Sequence, residues 1–82
     1  STAARSAEKQ KPATAGEVER VYAVLLDALR ACGYLEQRSA APTQEKVRRL
    51  LRRLNLSVSD AEAWLGMLRQ ILWKLRSGKG PV

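Results

Sequence analysis

The chain has 82 residues, enough for one small domain, and carries 15 Lys and Arg against 8 acids, giving a net charge of +7 and a pI of about 10.3. One cysteine, Cys32, excludes an internal disulfide and a cysteine-based structural zinc site, and with no histidine the usual transition-metal ligands are missing. No run approaches the ~18 apolar residues of a membrane span, and the N-terminus lacks the apolar middle of a signal peptide, so the expected setting is cytoplasmic with no membrane partner.

Residues 1–13 are read as a linker or tail, because Ala, Ser, Lys and Gln dominate there without an apolar period. Thr14-Ala15-Gly16-Glu17 fits a capping box, in which the hydroxyl and the carboxylate each satisfy a free backbone donor. Val18, Val21, Tyr22, Leu25, Ala28, Leu29 and Cys32 then recur at helical spacing, and Gly33 suits the left-handed position that ends a helix. This predicts a first helix over 15–32, with Cys32 a buried, inert thiol.

Pro42 is expected to block propagation from upstream, with Thr43 capping a second helix that Asn55 closes. Ser59-Asp60-Ala61-Glu62 reads as another capping box, with Leu56 or Val58 as its hydrophobic staple. The third helix carries Trp64, Leu65, Leu68, Ile71, Leu72 and Leu75 on one side and runs to Arg76. No strand-like alternation occurs. The expected fold is all-α, a small three-helix bundle over residues 14–77 with a C-terminal tail at 78–82.

Charge is concentrated on the second helix. Residues 43–55 hold Lys46, Arg48, Arg49, Arg52 and Arg53 against Glu45 alone, a net +4 of the chain's +7. At about 100° per residue, Val47, Leu50, Leu51 and Leu54 fall on one side and the four arginines on the other. The leucines are thus assigned to the core and the arginines to solvent. A solvated face normally mixes signs at i, i+4, and Glu45 is placed to pair with Arg48 or Arg49. Yet Arg48/Arg52 and Arg49/Arg53 set like charges at that spacing. Guanidinium groups grip phosphate through paired hydrogen bonds, so this face is a candidate polyanion surface. Arg69, Lys74 and Arg76 extend it in principle, although cations in a last turn also suit the helix dipole.

No nucleophile–base pair, metal cluster or cofactor loop can be assembled, since the acids mostly sit at helix starts. Gly78-Lys79-Gly80 lacks the upstream glycine and following helix of a phosphate-binding loop. Small helical enzymes that work by Arg and Lys electrostatics, such as chorismate mutases, match poorly. No catalytic residue and no resident cofactor are therefore expected. Trp73 falls opposite the apolar stripe, near Gly66 and Gln70, and suggests a contact surface. Docking on another domain or a second copy, stacking on an unpaired base, and burial against the N-terminal tail are the alternatives.

Taken in order, Pro12-Ala13-Thr14, Glu17-Val18-Glu19, Val21-Tyr22, Gly33-Tyr34, Val47-Arg48-Arg49-Leu50-Leu51-Arg52-Arg53-Leu54, Asp60-Ala61-Glu62 and Leu65-Gly66-Met67-Leu68-Arg69-Gln70-Ile71 form a pattern. It resembles the C-terminal helical extension of the TrmJ-type tRNA 2′-O-methyltransferases, in the SPOUT superfamily, over about residues 12–76. The resemblance implies a longer enzyme whose knotted N-terminal SPOUT domain binds S-adenosylmethionine, dimerises and methylates a ribose in the tRNA anticodon loop. It makes Arg48, Arg49, Arg52 and Arg53 candidates for tRNA backbone contacts. The family's cofactor-binding and catalytic motifs have no counterpart here, so no catalysis is expected of these residues themselves.

Overall fold

A computed structural model describes residues 11–37 and 39–77. Most of the expected linker, residues 1–10, and the tail at 78–82 lie outside the described residues. Three helices make up the fold: α1 (Ala15–Ala31), α2 (Ala40–Arg53) and α3 (Val58–Arg76), with one turn of 3-10 helix at Leu35–Gln37. Among the described residues there is no β-strand, only an isolated bridge between Pro12 and Ser57. The all-α, three-helix architecture is as the periodicity predicts.

The start of α1 follows its capping box. The Thr14 hydroxyl accepts from the Glu17 N–H at 3.1 Å, and the Thr14 N–H donates to the Glu17 carboxylate at 2.7 Å. At the other end, Gly33 has φ +87°. Its N–H donates to the Arg30 carbonyl at 3.1 Å and that of Tyr34 to the Leu29 carbonyl at 2.9 Å, the paired bonds of a Schellman turn. Cys32 is the C-cap residue, past the last core turn. It is exposed rather than buried, its Sγ donating to the Leu29 carbonyl at 3.5 Å.

α2 begins three residues earlier than Thr43. Pro42 sits in its first turn, where an N–H would have no intrahelical partner, so proline removes nothing there and its fixed φ suits the helix. Ser39 is the N-cap by backbone only, its carbonyl accepting from the Thr43 N–H at 3.3 Å. Asn55 closes the helix at φ 49°, as its side chain allows. α3 is capped by Ser57, not Ser59: the Ser57 hydroxyl accepts from the Asp60 N–H at 3.0 Å. Leu56 and Ala61, on either side of that cap, are both buried in the core.

The Ala13 N–H donates to the Leu56 carbonyl at 2.9 Å, and the Val58 N–H to the Lys11 carbonyl at 2.7 Å. Residues 11–13 are thereby tied to the helical unit rather than to a linker. These bonds place the starts of α1 and α3 together, and Arg76 reaches Asp27 at 4.0 Å near their far ends. The two helices therefore run side by side in the same direction, and α2 returns along α1 between them in sequence. α1 and α3 share the most extensive interface, α1 and α2 a smaller one, and α2 and α3 barely touch.

The core follows from that arrangement. Val21 is completely buried at its centre, surrounded by Tyr22, Leu26, Leu35, Leu51, Leu56, Ala61 and Leu68. Trp64 packs against this cluster, as its position in the stripe predicts. The other leucines of α2 do not belong to it: Leu51 is buried, but Leu50 and Leu54 are 48% and 52% exposed. Ile71 and Leu75 of α3 are likewise open to solvent. Each outer helix packs chiefly on α1, so only the part of its stripe that faces α1 is covered.

Candidate nucleic-acid interface

α2 is fixed on α1 by two polar contacts as well as by Leu51. The Tyr22 hydroxyl donates to the Gln44 carbonyl at 3.2 Å. Arg48 lies over the Tyr22 ring, 4.2 Å from its centroid, and donates to the Glu19 carboxylate at 2.5 Å. A cation over an aromatic face is attracted by the ring's quadrupole. Burial against neighbouring groups works to lower the Arg48 pKa, but its contacts with Tyr22 and Glu19 outweigh this and hold it above the ordinary value. Arg48 is therefore a firmly charged clasp between α1 and α2. The expected pairing with Glu45 is replaced by Glu19, which belongs to another helix.

With Arg48 turned to α1, the outward charge of α2 falls to Lys46, Arg49, Arg52 and Arg53. All four are exposed, and among the described residues none pairs with a carboxylate. Arg49 and Arg53 are separated by one turn and share an edge, while Arg52 follows Arg48 on the edge nearer α1. Arg48, Arg52 and Asn55 form one wall of a hollow of about 640 Å³, with Val18, Leu51 and Leu56 among its apolar residues and Glu19 beside Arg48. The hollow adjoins the start of α1 through Pro12, Ala13 and Ala15.

The cations of α3 are placed differently. Arg76 is directed to Asp27 of α1, and Arg69, two turns earlier, shares its edge. That edge of α3 faces away from α2, whose contacts with α1 run through Glu19 and Tyr22. Lys74 lies on the other side of α3, where it lines a shallow hollow with Gln70, Ile71 and Leu75. Trp73 is 63% exposed, and a side chain added at Gly66 would meet nothing within 4 Å. Gln70 is exposed as well. The three residues thus lie on the open outer side of α3.

Among the described residues, no group of three or more acidic or cysteine side chains is arranged to hold a metal, and no helix is long and apolar enough to cross a membrane. No protein-family model, curated protein or solved structure matches the chain. The Arg48–Glu19–Tyr22 clasp was not predicted by residue spacing, since Glu19 lies 29 residues before Arg48 in sequence.

Proposed function

We propose that this chain is a non-catalytic tRNA-binding domain, the C-terminal part of an S-adenosylmethionine-dependent tRNA 2′-O-ribose methyltransferase of the cytoplasm. The observation that carries the reading is the outward face of α2, four exposed cations without carboxylate partners among the described residues. The ordered resemblance to the TrmJ-type extension supplies the ligand. Lys46, Arg49, Arg52 and Arg53 would meet phosphates and fix the position of the RNA without reading its sequence. Arg48 acts through the fold, orienting α2, and Arg69, Lys74 and Arg76 contribute long-range attraction from α3.

In this reading S-adenosylmethionine belongs to a SPOUT domain of the same longer chain. The hollow lined by Glu19, Arg48 and Arg52 is not assigned to that cofactor. No chemical step is assigned to these residues.

The test is tRNA binding followed by fluorescence anisotropy across a salt series. Four phosphate contacts give a slope of about −3 to −4 in log K against log salt, from about −0.7 to −0.9 per contact. Replacing Arg49, Arg52 and Arg53 together by Gln, with Arg48 kept, should remove most of the affinity and reduce the slope by about 2–3. Unchanged affinity and slope in that variant overturn the reading.

The exposed Trp73 beside an open Gly66 favours a second reading, a module that docks on the catalytic domain or on a second copy. A dimer in sedimentation that Trp73→Ala dissolves, with no RNA binding at low salt, would select it.

A further inference from the structure

Beside the basic face, the three helices leave a cleft of about 340 Å³ that RNA binding does not use. Leu25 and Leu29 of α1, Val47, Leu50 and Leu54 of α2 and Trp64 of α3 form its walls. The apolar surface continues along α3 through Met67 and Ile71, which follow Trp64 at three and seven residues and are 54% and 51% exposed. Phosphate and ribose gain little from such a lining, whereas apolar side chains gain about 25 cal/mol for each Å² they remove from water.

The charges around the cleft are of one dominant sign. Residues three or four positions apart are neighbours on a helix surface. By that rule Leu50 is bordered by Lys46 and Arg53, and Ile71 by Lys74. The corresponding neighbours of Leu25 and Leu29 on α1 carry no charge, and among those of Trp64, Met67 and Ile71 on α3 the one acid is Asp60, four residues before Trp64. A second copy of the chain would bring the same cations to face these. The cleft is also elongated: Val47 to Leu54 and Trp64 to Ile71 are each seven residue steps apart, about 10 Å or two helical turns.

We propose that this cleft is a docking groove for an acidic amphipathic helix of a partner protein; its apolar walls lie apart from the RNA face of α2, with which it shares the bordering cations Lys46 and Arg53. Apolar anchors at i, i+3 or i+4, and i+7 of the incoming helix fill the space between Leu50, Leu54 and Trp64. Its flanking Asp and Glu meet Lys46, Arg53 and Lys74, which set the orientation and reject basic helices.

The probes are two labelled peptides of about fourteen residues with leucines at those anchor positions, one with Glu and one with Lys at the rest. They are titrated against the Trp73→Phe protein, in which Trp64 is the one remaining tryptophan. The Glu peptide should bind at least about tenfold more tightly than the Lys peptide and shift Trp64 emission to the blue. Leu50→Ser with Leu54→Ser should abolish both effects. Lys46→Glu with Arg53→Glu, at exposed positions that do not support the core, should reverse the peptide preference even if the serine variant folds poorly. Absence of Glu-peptide binding, equal affinity for both peptides, or an unaltered preference after the charge reversal overturns the proposal. A dimer that Leu50→Ser with Leu54→Ser dissolves, or loss of tRNA affinity in that variant without peptide binding, assigns the cleft to a different occupant and overturns it as well.

Discussion

Among the arginines of α2, Arg48 has a different role from its neighbours. It is the one whose guanidinium spans two helices, over Tyr22 and against Glu19, while 30% of its side chain stays exposed. Removing it should therefore destabilise the domain, whereas removing Arg49, Arg52 or Arg53 should not. Arg48→Ala is expected to lower the melting temperature by about 5 °C, the shift a small domain shows when one moderate interaction is lost. Arg48→Lys should recover part of it, since an ammonium keeps the charge but not the planar stacking. A melting temperature unchanged in Arg48→Ala would remove the clasp from the account. The sequence showed that four arginines share one side of α2, because that follows from a local period. It did not show which of them is committed to the fold, because Glu19 and Tyr22 reach Arg48 only once α2 has turned back along α1.

At the scale of single elements, the helix ends show what local chemistry determines. The Thr14/Glu17 box, Gly33 and Asn55 act within a few residues of themselves, and all three were legible in the sequence and are found in place. Local chemistry does not decide where two solutions compete: Ser57 and Ser59 both offer a cap to α3, and Pro42 is as compatible with a first turn as with a break. Gly33 and Gly66 separate torsional need from convenience. Gly33 holds φ +87°, and a methyl there would meet only the Glu36 carboxylate at 3.8 Å, an ordinary contact. Gly33→Ala should thus cost about 1–2 kcal/mol through backbone strain alone. Gly66 is helical with open space around it, so Gly66→Ala should stabilise by about 0.8–1.0 kcal/mol. Urea denaturation of both variants checks the signs, and equal shifts in the same direction would contradict the turn geometry.

For the whole molecule, the decisive property is that α1 has two partners and each outer helix essentially one. Periodicity marks which side of a helix is apolar, but not how many neighbours will cover it. That is why Leu50, Leu54, Ile71 and Leu75 are open although their spacing matches that of core residues. The same asymmetry sets the order of local stability. α3 is held along most of its length by α1, and α2 by the Tyr22–Gln44 bond, the Arg48 clasp and Leu51. Segments with fewer buried apolar contacts open at lower free energy than the global transition. Native-state hydrogen exchange should therefore show amides of α2 from Lys46 to Arg53 exchanging at least about tenfold faster than those of Val21–Leu26 in α1 and Leu65–Leu72 in α3. Arg48→Ala should widen that gap without altering protection in the α1–α3 pair. Bound tRNA should narrow it, because a ligand that requires α2 in place stabilises the closed form by mass action. Uniform protection across the three helices, insensitive to Arg48 and to RNA, would mean that α2 folds only as part of one cooperative unit, and that its basic face and its cleft face cannot be released from α1 independently of the core.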